Sequence, residues 1–179
     1  MSHYADGTEF SIRAIEMIAN TGTYLDTPAH RFREGFDLAG LPLEAAADVP
    51  GIVIEAAGPA IELDPGNVRG MAVLFRTGWS RHWGTEAYAG GGHPHLSRRT
   101  AEALVGGGAT IVGIDSVNID DTGDGTRPAH TVLLEAGVPV VEHLTNLESI
   151  PGTGFRFFAV PPRFEGVGTF PVRAFAIVG

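Results

Sequence analysis

The stretch LSRRTAEALVGGGATIVGID, residues 96–115, has the pattern of a helix followed by a buried strand. Ser97 can cap the helix, and the glycine run at 105–110 can end it. The apolar positions that fall on one helical face are Leu96, Ala101 and Leu104. Another strand candidate, residues 71–77, precedes the helix. The stretch therefore predicts a crossover helix that connects two parallel strands.

Short apolar segments bounded by glycine or proline recur along the chain and are rich in β-branched or aromatic residues. A second helix is expected after Pro128, ending at Gly137. Several strands with few helices predict a mixed α/β domain, and the absence of repeats or linkers predicts one domain over residues 1–179. We interpret six segments as strands, mostly buried: 51–57, 71–77, 109–115, 138–144, 155–161 and 172–179.

Composition limits the classes of function. The 179 residues carry a formal net charge of −9, which disfavours nucleic acid as a partner. No apolar run approaches the ~18 residues of a membrane span, and the N-terminus lacks a signal-peptide pattern, so a cytoplasmic protein is expected. The chain has no cysteine, so any metal must be held by histidine, carboxylate or amide groups.

Two polar regions are candidates for a site. The first is NTGTYLDTPAHR, residues 20–31. The second follows the strand at 109–115, since ligands often bind at the carboxyl ends of strands in open α/β sheets. Three aspartates in that second region are interpreted as solvated turn formers: Asp120, Asp121 and Asp124. Glu142 interrupts an apolar segment, and a carboxylate in a buried strand is costly unless it is paired or bound to metal.

The stretch NTGTYLDTPAH resembles the HxGTHxDxPxH signature of the cyclase family, whose best-known members are bacterial kynurenine formamidases. Further matches follow in the family's order over residues 18–179: TGW at 77–79, GID at 113–115, His130 with Glu142 twelve residues later, and PVRAFAI at 171–177. The resemblance implies a swivelling β/β/α fold, with a mixed sheet and few helices. It also implies a homo-oligomer, either a dimer or a tetramer.

In metal-dependent members, two histidines and the aspartate of the first motif hold one ion. The aspartate bridges to a second ion, which a downstream His and Glu complete. Here Asn20 and Tyr24 replace the two histidines. The resemblance therefore implies one divalent ion on the retained residues, with the Asn20 amide oxygen as a further candidate ligand: Asp26, His130 and Glu142.

An oxygen-rich ligand set suits Mn²⁺ or Mg²⁺ better than Zn²⁺. Tyr24 is expected to be a neutral phenol that hydrogen-bonds substrate or fills space. The resemblance assigns His30 as general acid/base. Arg31 is a candidate to bind a substrate carboxylate. Alternatively, its guanidinium anchors a surface loop. Trp79 and Trp83 are candidate pocket walls, and Tyr4, Phe10 or a neighbouring subunit is expected to complete the pocket.

Two functions are consistent with these residues. The first is a metal-dependent hydrolase or cyclase that acts on an amide, lactam or ester carbonyl of a small aromatic or cyclic compound, as an arylformamidase does. A metal-bound water and His30 would carry out the reaction. The second is a metal-free or non-catalytic protein that binds a small ligand, with Asn20 and Tyr24 in place of the metal. Buried carboxylates without a cation would repel each other, which favours the enzyme.

Overall fold

The computed structural model describes residues 7, 8 and 10–179. Tyr4 and His3 lie outside the described residues. The described chain forms ten strands and two α-helices, in this order: β1 Tyr24–Asp26, β2 Val49–Glu55, β3 Ala60–Ile61, β4 Ala72–Arg76, β5 His95–Leu96, α1 Arg98–Gly107, β6 Ile111–Ile114, α2 Pro128–Glu135, β7 Val140–Glu142, β8 Thr153–Phe158, β9 Thr169–Pro171 and β10 Phe175–Val178.

Eight of these strands form one mixed sheet in the order β10-β8-β2-β4-β6-β7-β1-β9, while β3 and β5 form a separate parallel pair. The centre of the large sheet is parallel, from β2 through β4 and β6 to β7. Helix α1 connects β4 to β6, and α2 connects β6 to β7. The predicted parallel crossover is therefore confirmed, and it occurs twice.

Local signals at the ends of α1 act as predicted. The Ser97 side chain accepts a hydrogen bond from the Thr100 N–H, which satisfies a donor at the helix N-terminus. Gly108 follows the helix in the left-handed conformation, with φ of 81°, and its N–H returns to the Leu104 and Val105 carbonyls. The apolar face of α1 is buried, with Ala101 and Leu104 fully inaccessible to solvent.

The sheet has a separate apolar core on each face, because successive side chains along a strand point to opposite sides. On β4, Val73 and Phe75 pack with both helices, whereas Ala72 and Leu74 pack in the other core with β8. All four side chains are fully buried. The near-continuous apolar sequence of this strand follows from burial on both faces.

All six predicted strands are confirmed within a few residues of their expected ends. The strand predicted at 172–179 differs in burial, because β10 is an edge strand with Phe175 and Ile177 about half exposed. Four short strands, β1, β3, β5 and β9, were not predicted, since two or three residues carry too little alternation to recognise. Neither described helix is long and apolar enough to span a bilayer.

Candidate metal centre

Strands β1 and β7 bring the first acidic residues of the site together. They pair antiparallel, with Tyr24 opposite Glu142. Tyr24 and Asp26 are two residues apart, so they share a face of β1, and Glu142 lies on the same face of the sheet. Asp26 and Glu142 have no exposed surface. The pairing thus places two carboxylates and a phenol in the interior beneath α2.

His130, in the first turn of α2, supplies the imidazole. The Asp120 carboxylate accepts hydrogen bonds from two N–H groups of this turn, those of Ala129 at 2.5 Å and His130 at 3.0 Å. It also lies 2.7 Å from His130 Nδ1. Asp120 therefore anchors the start of α2 and fixes the imidazole ring, which leaves Nε2 to face the site. A carboxylate behind a histidine is the usual second partner of a metal-binding imidazole.

The centre of the cluster contains polar atoms that are buried and unpaired. His130 Nε2 lies 3.5 Å from Asp26 Oδ2 and 3.5 Å from Glu142 Oε1. Among the described residues, His130 Nε2 and both Asp26 carboxylate oxygens have no hydrogen-bond partner. Such groups are rare in proteins, because removing them from water without a partner is costly.

A cation would satisfy these atoms. His30 follows β1, and its Nδ1 lies 3.7 Å from Asp26 Oδ1. One donor atom from each of Asp26, His30 and His130 falls within 4.8 Å of the others. Carboxylate oxygen and imidazole nitrogen are both ligands for divalent metals. The residues present therefore fit a metal ion, with His30 as a third nearby donor.

Glu142 differs from Asp26 because its oxygens already accept hydrogen bonds. Oε1 accepts from the Ile119 N–H at 2.5 Å, and Oε2 accepts from Asn118 Nδ2 at 3.3 Å and from the Tyr24 hydroxyl. The exposed Asn20 side chain acts to lower the pKa of the Tyr24 hydroxyl, against the larger effect of burial. Of the two residues that replace family histidines, Tyr24 thus contacts Glu142 directly.

Burial and charge shift the pKa values of these groups. Burial, with the Asp26 carboxylate, raises the pKa of Glu142 to about 7, although His130 opposes the shift. Burial alone would lower the pKa of His130, but Glu142, Asp120 and Asp26 outweigh it and raise that pKa to about 10. Burial and the neighbouring carboxylates also raise the pKa of Tyr24 far above its usual value. These shifts favour the neutral phenol form of Tyr24.

The interpretation of Asp120 as a solvated turn former is wrong. Asp120 is fully buried and holds His130, whereas Asp121 and Asp124 accept backbone hydrogen bonds within exposed turns, as predicted. The contact of Asp120 with His130, ten residues later, leaves no periodic pattern in the sequence from which it could be predicted. The neighbouring Asp115 is also buried and accepts from the Thr77 and Gly78 N–H groups, which fixes the loop after β4.

The residues predicted to contact the substrate, Arg31 and the two tryptophans, have different surroundings. Arg31 is exposed, and its Nε donates to Thr131 Oγ1 at 3.3 Å. Trp79 Nε1 donates to the Tyr88 carbonyl at 3.0 Å, so Trp79 supports the Tyr88 segment. Trp83 lines a cavity of about 150 Å³ together with Tyr88 and His143. Of the two tryptophans, Trp83 is the one that walls this cavity.

Comparison with known proteins tests the resemblance. The family described as Cyclase matches residues 1–121 of the chain. This chain belongs to the cyclase family. A kynurenine formamidase from Salinibacter ruber is 28% identical over 174 residues, which cover 94% of this chain and 81% of that protein. The predicted family is therefore confirmed.

Solved structures of the same fold extend the comparison. Isatin hydrolase A from Ralstonia solanacearum superposes with a TM-score of 0.74 at 25% identity, covering 88% of this chain and 72% of its own. Isatin hydrolase A from Labrenzia aggregata, bound to benzyl benzoate, gives 0.74 at 26% identity with the same coverage. A potential metal-dependent hydrolase with cyclase activity gives 0.76 at 25% identity, covering 90% and 80%. The predicted cyclase-like α/β fold is confirmed.

Proposed function

We propose that this cyclase-family protein is a metal-dependent hydrolase that cleaves a non-peptide C–N bond of a small carbonyl compound. The observation that carries the proposal is the buried cluster in which both Asp26 oxygens and His130 Nε2 are unpaired. The relatives support this reading, since one is a kynurenine formamidase and others are isatin hydrolases. A formamide and a lactam both contain an amide carbon that water can attack.

Asp26 and His130 are the principal ligands in this proposal, with His30 and Glu142 beside them. A divalent ion held there would acidify a water molecule and polarise the carbonyl of the substrate. Asp120 fixes the His130 ring through its contact with Nδ1, so that Nε2 would be free to bind the ion. Ile119, Asn118 and Tyr24 hold the Glu142 carboxylate in place.

His30 is proposed to carry the proton. Its side chain is about a third exposed, whereas Asp26 beside it is fully buried. An imidazole at such a boundary can exchange protons with solvent and with a reacting group. The proximity of His30 Nδ1 to the other donors also supports a role as a ligand, and the two roles predict different variant phenotypes.

The donor set bears on the identity of the ion. The sequence-based set contained one imidazole, but His30 adds a second nitrogen near Asp26. Imidazole suits Zn²⁺ well, while carboxylate and water ligands suit Mn²⁺ and Mg²⁺. We therefore propose one Mn²⁺ or Zn²⁺ per chain and rank Mg²⁺ below them.

In the alternative, a metal-free binding protein, Asn20 and Tyr24 must stabilise the buried carboxylates without a cation. Tyr24 hydrogen-bonds Glu142, but neither Tyr24 nor Asn20 pairs with Asp26. The Asp26 carboxylate would then remain buried without a hydrogen bond, with only the His130 and His30 imidazoles at 3.5 and 3.7 Å, which is costly. This contrast favours the hydrolase. A cytoplasmic location, a homo-oligomer and a single domain over residues 1–179 remain predictions.

The test combines elemental analysis with an activity assay. Full-length protein purified without chelators should contain about one divalent ion per chain and should hydrolyse N-formylkynurenine or isatin after loading with Mn²⁺ or Zn²⁺. The Asp26→Ala variant should lose both properties, while Asp121→Ala, which changes an exposed turn aspartate, should keep them. Protein that binds no ion and shows no hydrolysis under any loading would contradict the proposal.

A further inference from the structure

Strand β9 places a threonine directly opposite Asp26. Strands β1 and β9 pair antiparallel, and Asp26 lies opposite Thr169. The neighbouring pair, Leu25 and Phe170, packs in the core on the face of the sheet away from the helices. Successive side chains along a strand point to opposite faces, so Asp26 and Thr169 share the other face, that of the candidate metal centre. Residues directly opposite in an antiparallel pair have Cβ atoms about 4.5–5.5 Å apart.

The Thr169 hydroxyl is buried and unpaired. The residue is only 7% exposed, and its Oγ1 makes no hydrogen bond with any described residue. A hydroxyl removed from water without a partner is costly, so such groups call for an explanation. Within the described chain, the buried side-chain atoms that lack a partner belong to Thr169, Asp26 and His130. Asp26 lies beside each of the other two, so the unpaired atoms converge on the candidate metal centre.

The backbone that carries Thr169 is held against β1. The carbonyl of Gly168, the preceding residue, accepts hydrogen bonds from the Thr27 N–H at 2.8 Å and from Thr27 Oγ1 at 2.9 Å. Thr27 directly follows Asp26, so these bonds fasten the two strands next to the pair that faces the site. Thr169 is therefore kept beside Asp26, and the freedom that remains to its hydroxyl is rotation of the side chain.

The other groups of the buried cluster each have a partner that fixes them. Asp120 holds His130 Nδ1 at 2.7 Å, and the Ile119 N–H holds Glu142 Oε1 at 2.5 Å. Asp26 is the exception, since neither of its oxygens accepts a hydrogen bond from a residue that the structure describes. Carboxylates that bind a metal are usually hydrogen-bonded themselves, because that bond fixes their orientation toward the ion. A hydrogen-bond donor for Asp26 is therefore expected among its neighbours.

We propose that Thr169 is a positioning residue of the metal centre, whose hydroxyl donates a hydrogen bond to one Asp26 oxygen and so directs the other oxygen at the ion. Oγ1 does not make this bond in the conformation described above. Rotation about the Cα–Cβ bond moves Oγ1 to another staggered position, so the contact needs a change of rotamer and no movement of β9. The effect on metal binding rests on the proposed function, whereas the hydrogen bond itself does not.

Two substitutions separate the hydroxyl from the shape of the side chain. Thr169→Val replaces the hydroxyl by a methyl group and keeps a β-branched residue suited to a strand, whereas Thr169→Ser retains the hydroxyl. Isothermal titration calorimetry of the full chain with Mn²⁺ and with Zn²⁺ measures the Kd of the ion. Thr169→Val should raise that Kd by at least about tenfold, as is usual when a partner of a metal ligand is lost. Thr169→Ser should restore it to within about threefold of the wild type.

Thr153→Val is the matched control, because it makes the same chemical change at an exposed position of β8. Its Kd for the ion should stay within about twofold of the wild type. Cooperative thermal melting of each variant shows that the fold is kept. A wild-type Kd in folded Thr169→Val would overturn the proposal, and so would an equal rise of the Kd in Thr169→Val and Thr169→Ser.

A high-resolution crystal structure of the wild-type chain, grown with Mn²⁺, tests the contact without any variant. Thr169 Oγ1 should lie within about 3.0 Å of an Asp26 oxygen. With the ion bound, an Oγ1 that remains unpaired or bonds another group would overturn the role of Thr169 alone. Absence of the ion and of hydrolysis, with Oγ1 bonded to Asp26, would overturn the proposed function and the role in metal binding while supporting the hydrogen bond.

Discussion

At the scale of single residues, the two candidate roles of His30 predict different phenotypes. If His30 carries the proton, His30→Ala should retain about one ion per chain while kcat falls by about 10²–10⁴-fold, the usual contribution of general acid–base catalysis. If His30 is a ligand, the ion should be lost as well. Elemental analysis and kcat, measured on one preparation, separate the two results. The His82→Asn variant, which changes a partly buried histidine outside the metal cluster, should change neither quantity.

Asp120 is the residue whose function depends most on a contact distant in sequence. Burial tends to raise its pKa, but hydrogen bonds with His130 and Ala129 outweigh this effect and lower it. The ionised carboxylate holds His130 Nδ1. Asp120→Asn should therefore weaken metal affinity about 10–100-fold, as is usual when the partner of a metal-binding histidine is changed. Isothermal titration calorimetry with Mn²⁺ or Zn²⁺ measures this effect, and equal affinity in Asp120→Asn and wild type would contradict it.

At the scale of elements, the segment that carries His30 is held by a close approach of two backbones. Gly168 precedes β9, and a Cβ atom at this position would lie 2.3 Å from the His30 nitrogen. The Gly168 carbonyl also accepts the Thr27 N–H at 2.8 Å. Gly168→Ala must displace backbone atoms, so it should lower the free energy of unfolding by about 1–3 kcal/mol.

Thermal or urea unfolding measures the effect of Gly168→Ala, and activity should fall as His30 moves. Gly152→Ala is the control, because a Cβ atom at Gly152 meets no atom within 4 Å. Equal stability of Gly168→Ala and wild type would mean that the two segments separate easily and that this contact does not position His30.

Asp37 links two loops through hydrogen bonds, and this link predicts that the stability of the protein depends on pH. Asp37 accepts hydrogen bonds from the Gly166 and Gly40 N–H groups, and these bonds lower its pKa. A carboxyl with a lowered pKa in the folded state contributes stability above its unfolded pKa, and this contribution is lost as pH falls through the folded pKa. Asp37→Asn should therefore destabilise the protein at pH 7 and progressively less below about pH 4. Urea unfolding at several pH values checks this, and a constant difference would contradict it.

At the scale of the whole molecule, metal binding should be coupled to stability. An ion that binds only the folded chain stabilises it by about 2.7 kcal/mol at a concentration 100 times Kd. In a chain of 179 residues, this corresponds to a rise in Tm of about 5–11 °C. Differential scanning calorimetry with and without added Mn²⁺ or Zn²⁺ measures the shift.

Asp26→Asn provides the matched control for the calorimetry. It removes one buried charge while nearly preserving side-chain volume, so its Tm should no longer respond to metal. A variant that still gained stability from the ion would remove Asp26 from the ligand set.

Local signals in the sequence were sufficient to predict most of the secondary structure. Glycine and proline boundaries, β-branched segments and the Ser97 cap identified six strands, both helices and the parallel crossover. The order of motifs from residue 20 onward identified the family. These signals are readable because secondary-structure periodicity and turn chemistry act over a few residues.

The contacts that form the site could not be predicted from the sequence, because they join residues that are distant along the chain. The three-residue strand β1 forms between β7 and β9, where partners distant in sequence supply its hydrogen bonds. Asp120 changes from an expected turn former to the partner of His130 because α2 packs over it. His143, which had no recognisable pattern, meets Tyr88 across 55 positions of sequence. Burial and long-range pairing depend on how the sheet is assembled, so no short stretch of sequence encodes them.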